Sequence, residues 1–255
     1  MSMFKTAFVN AKRVRQLRPF LSSELVDNVT PSTMPHVIWV YWHQGEENAP
    51  DVVRECIESW RRNNPGWEVR VLDGDTAASK IDLSDISPDI SLAALSDILR
   101  IRLMAQKGGI WVDATLYNRI PLDQWLWPLM QAGFFAFSRS SRERLVASWF
   151  LASCRGSELA GDVDRAVTRY WKGRGRVATY YWFHYLFEAA VLSSRRTRQV
   201  FARMPRVSAA GPHVIAKWVD DPAQPAPDLT GIPVLKLNWK DERMRRPEVR
   251  AHIAA

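Results

Sequence analysis

Residues 96–117 read SDILRIRLMAQKGGIWVDATLY. Together with Leu92 and Leu95, the apolar positions Ile98, Leu99, Ile101, Leu103 and Met104 have the spacing of a helix with little solvated face. Gly108 and Gly109 stop that helix and allow a sharp, close return of the chain. The next residues, Gly109 to Thr115, predict a short strand that delivers Asp113 and Thr115. On an extended backbone these two point to the same side, so their oxygens converge. Asp97 and Arg100 are three residues apart and neighbour each other on the helix. On a solvated surface such a pair would contribute only a few tenths of a kcal/mol. Here the helix leaves them little surface, so they are expected in a crevice. Carboxylates are costly in apolar surroundings unless paired. Two of them beside an arginine suit a polar, phosphorylated ligand.

The flanking sequence places this stretch in an alternating fold. HVIWVYW (36–42) reads as a buried strand, and 49–67 carries a helix with Val52, Val53, Cys56, Ile57 and Trp60 on one face. Pro50 and Asp51 suit its start, and Asn63-Asn64-Pro65-Gly66 its end. WEVRVLD (67–73) then alternates as a strand, and the helix 91–107 and strand 109–115 follow. This β-α-β-α-β order predicts an α/β fold with a mostly parallel sheet flanked by helices, similar to a Rossmann fold. Such sheets bind ligands beyond the carboxyl ends of their strands. The three tails are Trp42-His43-Gln44-Gly45, Asp73-Gly74-Asp75 and Asp113-Ala114-Thr115, each polar after an apolar run. Further on, 133–139 reads as a strand, 147–153 as a strand or short helix, and 180–192 as an aromatic helix containing His184. Residues 222–233 read as a loop and 234–250 as a strand running into a basic tail.

A chain of 255 residues with 47% hydrophobic composition and 12 tryptophans is long and apolar enough for a sizeable core, which excludes a largely disordered protein. Its formal net charge of +8 favours polyanionic partners. No zinc-finger spacing, aromatic RNA-binding signature or Walker-type loop accompanies that charge, so no specific nucleic-acid partner is expected. Cys56 and Cys154 are too few for a disulfide framework or a cysteine-based metal site, in keeping with a cytoplasmic protein. No apolar run approaches the roughly 18 residues needed to span a bilayer, and no signal-peptide pattern is present. Residues 1–30 are set apart as a basic helix and linker before a single domain at 31–255. Within 4–21, Phe4, Ala7, Phe8, Ala11, Val14, Leu17 and Leu21 alternate with Lys5, Lys12, Arg13, Arg15 and Arg18. Such a helix either lies on an anionic membrane surface, here the cytoplasmic face, or packs on the domain.

SDILR followed by GGIWVDAT resembles the core signature of the GT-A glycosyltransferases related to initiating α-mannosyltransferases and glucosylating toxins. The order IWVYWHQGEENAP, SDILR, GGIWVDAT, SWFLAS and KLNWK resembles the capsular polysaccharide synthesis protein family more closely still, over residues 35–240. That resemblance implies a GT-A-like fold and transfer of a sugar from a nucleotide-sugar donor to a glycan or lipid-linked acceptor, with retention, in bacterial surface polysaccharide synthesis. It implies Trp42 as the residue stacking on the nucleobase, Asp97 and Arg100 as holders of the donor sugar, and Asp113 as ligand of the ribose and of a manganese or magnesium ion. Thr115 stands where related families carry a second aspartate, usually the direct metal ligand, which weakens the expected metal site. Lys236 and Lys240 are candidates for closing over the diphosphate, the alternative being solvated surface lysines. His184 is either an acceptor-binding residue or a core histidine. His213 is a candidate supplementary metal ligand. A non-catalytic nucleotide- or glycan-binding protein on the same scaffold is the rival expectation.

Overall fold

The computed structural model describes residues 34–141, 144–221 and 223–254. The basic segment 4–21 lies outside them. The central sheet holds five strands: β1 (Val37–Tyr41), β2 (Glu68–Leu72), β3 (Gly109–Val112), β5 (Phe134–Ser141) and β6 (Arg144–Ser153). Their order is β2-β1-β3-β6-β5. β1 pairs in parallel with β2 and β3, whereas β6 runs antiparallel to both β3 and β5, so four of the five strands share one direction. The mostly parallel α/β sheet expected from the sequence is present. Residues 147–153, which the pattern left between strand and helix, are strand, paired on both edges.

α1 (Asp51–Asn63) buries Val52, Val53, Cys56, Ile57 and Trp60, the face its periodicity marks. It anchors β4 (Leu116–Asn118), because Trp60 Nε1 donates to Leu116 O at 2.7 Å and the Asn118 amide donates to Ser59 Oγ at 2.8 Å. α2 (Leu92–Gln106) starts at Ser91, whose Oγ caps the Ala94 amide. Its end is dictated by Gly108 and Gly109, at φ of 70° and 93°. A Cβ on Gly109 would lie 2.6 Å from Val37 O, so only glycine lets β3 approach β1 here. Trp39 Nε1 closes the same corner on Gly108 O at 3.0 Å.

The strand predicted for 109–115 ends at Val112. Asp113 to Leu116 form a turn, in which the Leu116 amide donates to Asp113 O at 2.9 Å. The convergence of Asp113 and Thr115 is therefore the work of a turn, not of strand alternation. The basic tail after Lys236 also differs from the expectation: β7 is only Val234–Lys236. It is followed by a 3-10 turn and by α7 (Pro247–Ala254). Between β6 and β7 come α3 (Glu158–Trp171), α4 (Trp182–Ser193), α5 (Arg195–Arg203) and α6 (Val214–Asp220). α4 is the aromatic helix the sequence marks.

β7 pairs antiparallel with β4 to make a second, two-stranded sheet, with Leu116 opposite Lys236. Leu235, Leu237, Ile215, Val219, Met244, Val249 and Ile253 form a second apolar cluster with Val52 and Cys56 of α1. This cluster fastens the end of the chain beside the tail of β3.

Candidate active site

The site is assembled at the carboxyl ends of β1 and β3, closed on one side by β7. Arg100 is its centre. This side chain is 7% exposed and reaches Asp97 Oδ1 at 3.0 Å with Nη1 and Asp113 Oδ1 at 3.3 Å with Nη2. Ser96, one helical turn earlier, accepts from it through its carbonyl at 3.3 Å and its hydroxyl at 3.2 Å. Ser148 O on β6 accepts from Nη1 at 3.1 Å. The guanidinium also lies 5.4 Å from the Trp111 ring centroid and 5.9 Å from that of Phe183. A fixed fork of five donors suits a buried post shared by two carboxylates.

Asp113 is gripped from the other side by Lys236, whose Nζ is 3.1 Å from Oδ2 and also donates to Thr115 Oγ1. Trp111 Nε1 donates to Asp113 Oδ1 at 3.2 Å. Burial works against the Asp113 charge, yet Lys236 and Arg100 prevail and hold its carboxyl at about 2. Asp97 has Arg100 alone against burial and the neighbouring Asp113 charge, and is pushed up to about 6. The Lys236 ammonium on Asp113 thus separates the two carboxyls in acidity, since both share Arg100.

Trp42, just past β1, packs edge to face on Trp239 with ring centroids 5.4 Å apart, and Lys240 Nζ sits 5.4 Å from the Trp239 ring. The Trp42 indole nitrogen is enclosed and has no acceptor among the described residues. Lys240 stands with the tryptophans and, unlike Lys236, forms no ion pair with Asp113 among the described residues. His184 faces the cluster from α4: burial first, then Arg144 and Arg100, push its imidazole down to about 3 against the pull of Asp113. It is neutral at pH 7. His213 meets Trp149 edge to face at 5.7 Å, and burial first, then Lys236, Lys217 and Arg144, push its imidazole below the usual histidine range. The tail of β2 is a closed turn, since Asp73 Oδ1 accepts from the Asp75 and Thr76 amides and from the Thr76 hydroxyl.

The structure therefore brings Asp97, Arg100, Asp113, Thr115 and Lys236 into direct contact, with His184 within electrostatic reach and Trp42 beside the closing segment. Sequence reasoning missed Ser96, Trp111, Ser148 and Trp149. Ser96 and Trp111 lie inside the stretches SDILR and GGIWVDAT, and Ser148 and Trp149 inside SWFLAS. The spacing of Ser96 to Arg100 (i, i+4) and of Trp111 to Asp113 (i, i+2) was a local signal for the first two, whereas Ser148 and Trp149 carry none, because the sheet sets their partners.

The donor set fits a divalent cation poorly. Hard cations take several oxygen ligands. Both Asp113 oxygens already face cations, and the Thr115 hydroxyl is shared with an ammonium. Among the described residues no group of three His, Cys, Asp or Glu side chains is placed to hold a metal.

The sequence comparisons point the same way as the motifs. The chain is 26% identical over 174 residues to the O-glycosyltransferase braB of Annulohypoxylon truncatum, a match covering 59% of this chain and 41% of that protein. It is 25% identical over 162 residues to the O-glycosyltransferase PaGT of Phomopsis amygdali, covering 53% and 40%. Against the glycosyltransferase afumC of Aspergillus fumigatus it is 27% identical over 143 residues, covering 47% and 36%. The matched regions thus span about two fifths of these curated relatives. Among solved structures, the PaToxG glycosyltransferase aligns over 82% of this chain and 90% of its own, at 12% identity and a TM-score of 0.45. The family model described as capsular polysaccharide synthesis protein matches residues 5–240, from the basic N-terminal segment to the lysine that ends KLNWK, and the chain belongs to that family.

Proposed function

We propose that this chain is a glycosyltransferase that moves a sugar from a nucleoside-diphosphate donor, UDP-linked, to a glycan or lipid-linked acceptor during surface polysaccharide synthesis. The observation that carries this reading is the shared arginine: Arg100 holds Asp97 and Asp113 apart while Lys236 grips the far oxygen of Asp113. Such an array offers carboxylate acceptors for sugar and ribose hydroxyls and fixed cations for a diphosphate, where charge-assisted hydrogen bonds set orientation. The Trp42 ring is the platform for the base. His184, whose imidazole is neutral at pH 7, is the residue proposed to accept a hydrogen bond from an acceptor hydroxyl.

In the reaction, the bond between the anomeric carbon and the diphosphate oxygen breaks, and the diphosphate leaves with the electron pair. The acceptor oxygen forms the new bond on the same face, and its proton passes to the departing phosphate oxygen. That course retains configuration. Fixed donors aimed at the developing negative charge are the main contribution a protein can make to such a step. The basic segment 4–21 and the lipid-linked acceptor together suit a peripheral position at the cytoplasmic membrane face. Among the described residues no helix is long and apolar enough to cross a membrane.

Calorimetric titration with UDP, and with ADP as control, tests the donor site. Wild-type protein is expected to bind UDP in the micromolar to millimolar range, and Trp42→Ala to weaken it about tenfold or more, the loss of one stacked base. Equal UDP affinity in the two proteins would remove Trp42 from the base site.

A further inference from the structure

We infer that the Lys236 ammonium takes the place that a divalent cation occupies between paired carboxylates, so that the diphosphate is held without a metal. This rests on the donor reading above and adds to it the means by which the leaving group is neutralised.

Three features converge on the inference. The first is position. Lys236 Nζ bridges Asp113 Oδ2, at 3.1 Å, and the hydroxyl of Thr115, the two side chains from which a metal would hang. An ammonium has three N–H donors and no acceptor. Two are used here, and the third remains for a phosphate oxygen. The second is rigidity. Lys236 lies opposite Leu116 in the β4–β7 ladder, and the Leu237 amide donates to Thr115 O at 2.9 Å. The backbone carrying the ammonium is thus bonded directly to the turn carrying Asp113 and Thr115. A cation entering between those two residues would meet a like charge held in place by a sheet.

The third feature is charge. Asp97 and Asp113 are balanced by Arg100 and Lys236. An aspartate at 115 would give Lys236 two carboxylates to neutralise and leave the site anionic before any diphosphate arrived. A threonine keeps the oxygen for the hydrogen bond and omits the charge. Thr115 and Lys236 therefore work as a pair, and the departure from the two-aspartate pattern has a purpose at this site.

The test uses the full chain. UDP affinity is measured by calorimetry in EDTA and in millimolar MnCl2, for wild type, Lys236→Met and Lys236→Arg. Manganese uptake without nucleotide is followed by electron paramagnetic resonance for wild type and for the double variant Thr115→Asp/Lys236→Met. Wild-type UDP affinity is expected to agree within about twofold between the two conditions, and Lys236→Met to lose about tenfold or more in EDTA. Lys236→Arg, which keeps charge and donors, is expected to retain most of the metal-free affinity, separating lost charge from a damaged β7. The double variant is expected to take up manganese and wild type none. A wild-type affinity that rises tenfold or more with manganese, or manganese uptake by wild type, overturns the inference. UDP binding in neither condition counts against the donor reading instead. The manganese titration then decides the lysine alone: uptake confined to the double variant supports it, and uptake by both proteins or by neither overturns it.

Discussion

Arg100 is the residue on which the site turns. Its guanidinium joins Asp97 and Asp113 and is held by Ser96 and Ser148, so removing it leaves a buried cavity and two half-buried carboxylates without their shared cation. Breaking a buried pair from one side costs about 3–5 kcal/mol. Arg100→Met is accordingly expected to destabilise the fold by that order in chemical denaturation, and a loss below about 1 kcal/mol would contradict the role. Arg100→Lys restores the charge but not the fork, and is expected to recover less than half of the loss. The two carboxyls also give opposite pH signatures. Asp113, held at about 2, contributes stability above its unfolded value near 4 that disappears as pH falls toward 2. Asp97, raised to about 6, binds its proton more tightly folded than unfolded, so its contribution is present below about pH 4 and is lost as pH rises through 6. Between pH 4 and 6, wild type is thus expected to lose on the order of 2 kcal/mol relative to Asp97→Asn. Parallel stability profiles for the two proteins over that range would exclude a raised Asp97.

At the scale of elements, the corner between α2 and β3 sets the register of the site. Gly109 has φ of 93° and would place a Cβ 2.6 Å from Val37 O, backbone against backbone. Gly109→Ala is expected to cost about 2–3 kcal/mol and to shift Asp113 relative to Lys236, lowering UDP affinity with it. Urea unfolding alongside UDP titration checks this, and an alanine variant of wild-type stability would refute the steric account. α2 and its glycine stop were legible in the sequence because helical periodicity and positive-φ glycines are local signals. The turn at 113–116 was not, since Asp-Ala-Thr after an apolar run looks the same whether extended or folded back. Lys236 was legible only as a candidate: its partner lies 123 residues earlier in the chain, and only the β4–β7 pairing brings Asp113 to it. Lys240, four residues on, has the same composition signal and no such pairing among the described residues. Arg102 shows the converse. It lies two residues from Arg100 on the same apolar helix, and it is spent on Asp85 at 2.6 Å and Asp82 O at 2.6 Å, fastening the loop before α2. Residue type alone does not separate the arginine proposed for the site from the one that fastens a loop.

Across the whole molecule, two apolar clusters meet at α1, whose Val53, Ile57 and Trp60 serve the main core while Val52 and Cys56 serve the closing lobe. That double duty places β7 over the tail of β3 and brings a C-terminal lysine onto a carboxylate from the middle of the chain. The family to which the chain belongs and its sheet were readable from ordered motifs, whereas the proposed neutralisation of a donor diphosphate depends on that long-range closure. The central claim is that this closed array transfers a sugar from a nucleoside-diphosphate donor. It is tested most directly by nucleoside-diphosphate release from a panel of nucleotide sugars, comparing wild type with Asp113→Asn. Wild type is expected to release diphosphate from at least one UDP-sugar, and the variant to do so about 10²–10³-fold more slowly, the usual cost of losing one preorganised polar group. Equal release by the two proteins, or none by wild type from any donor, would contradict it.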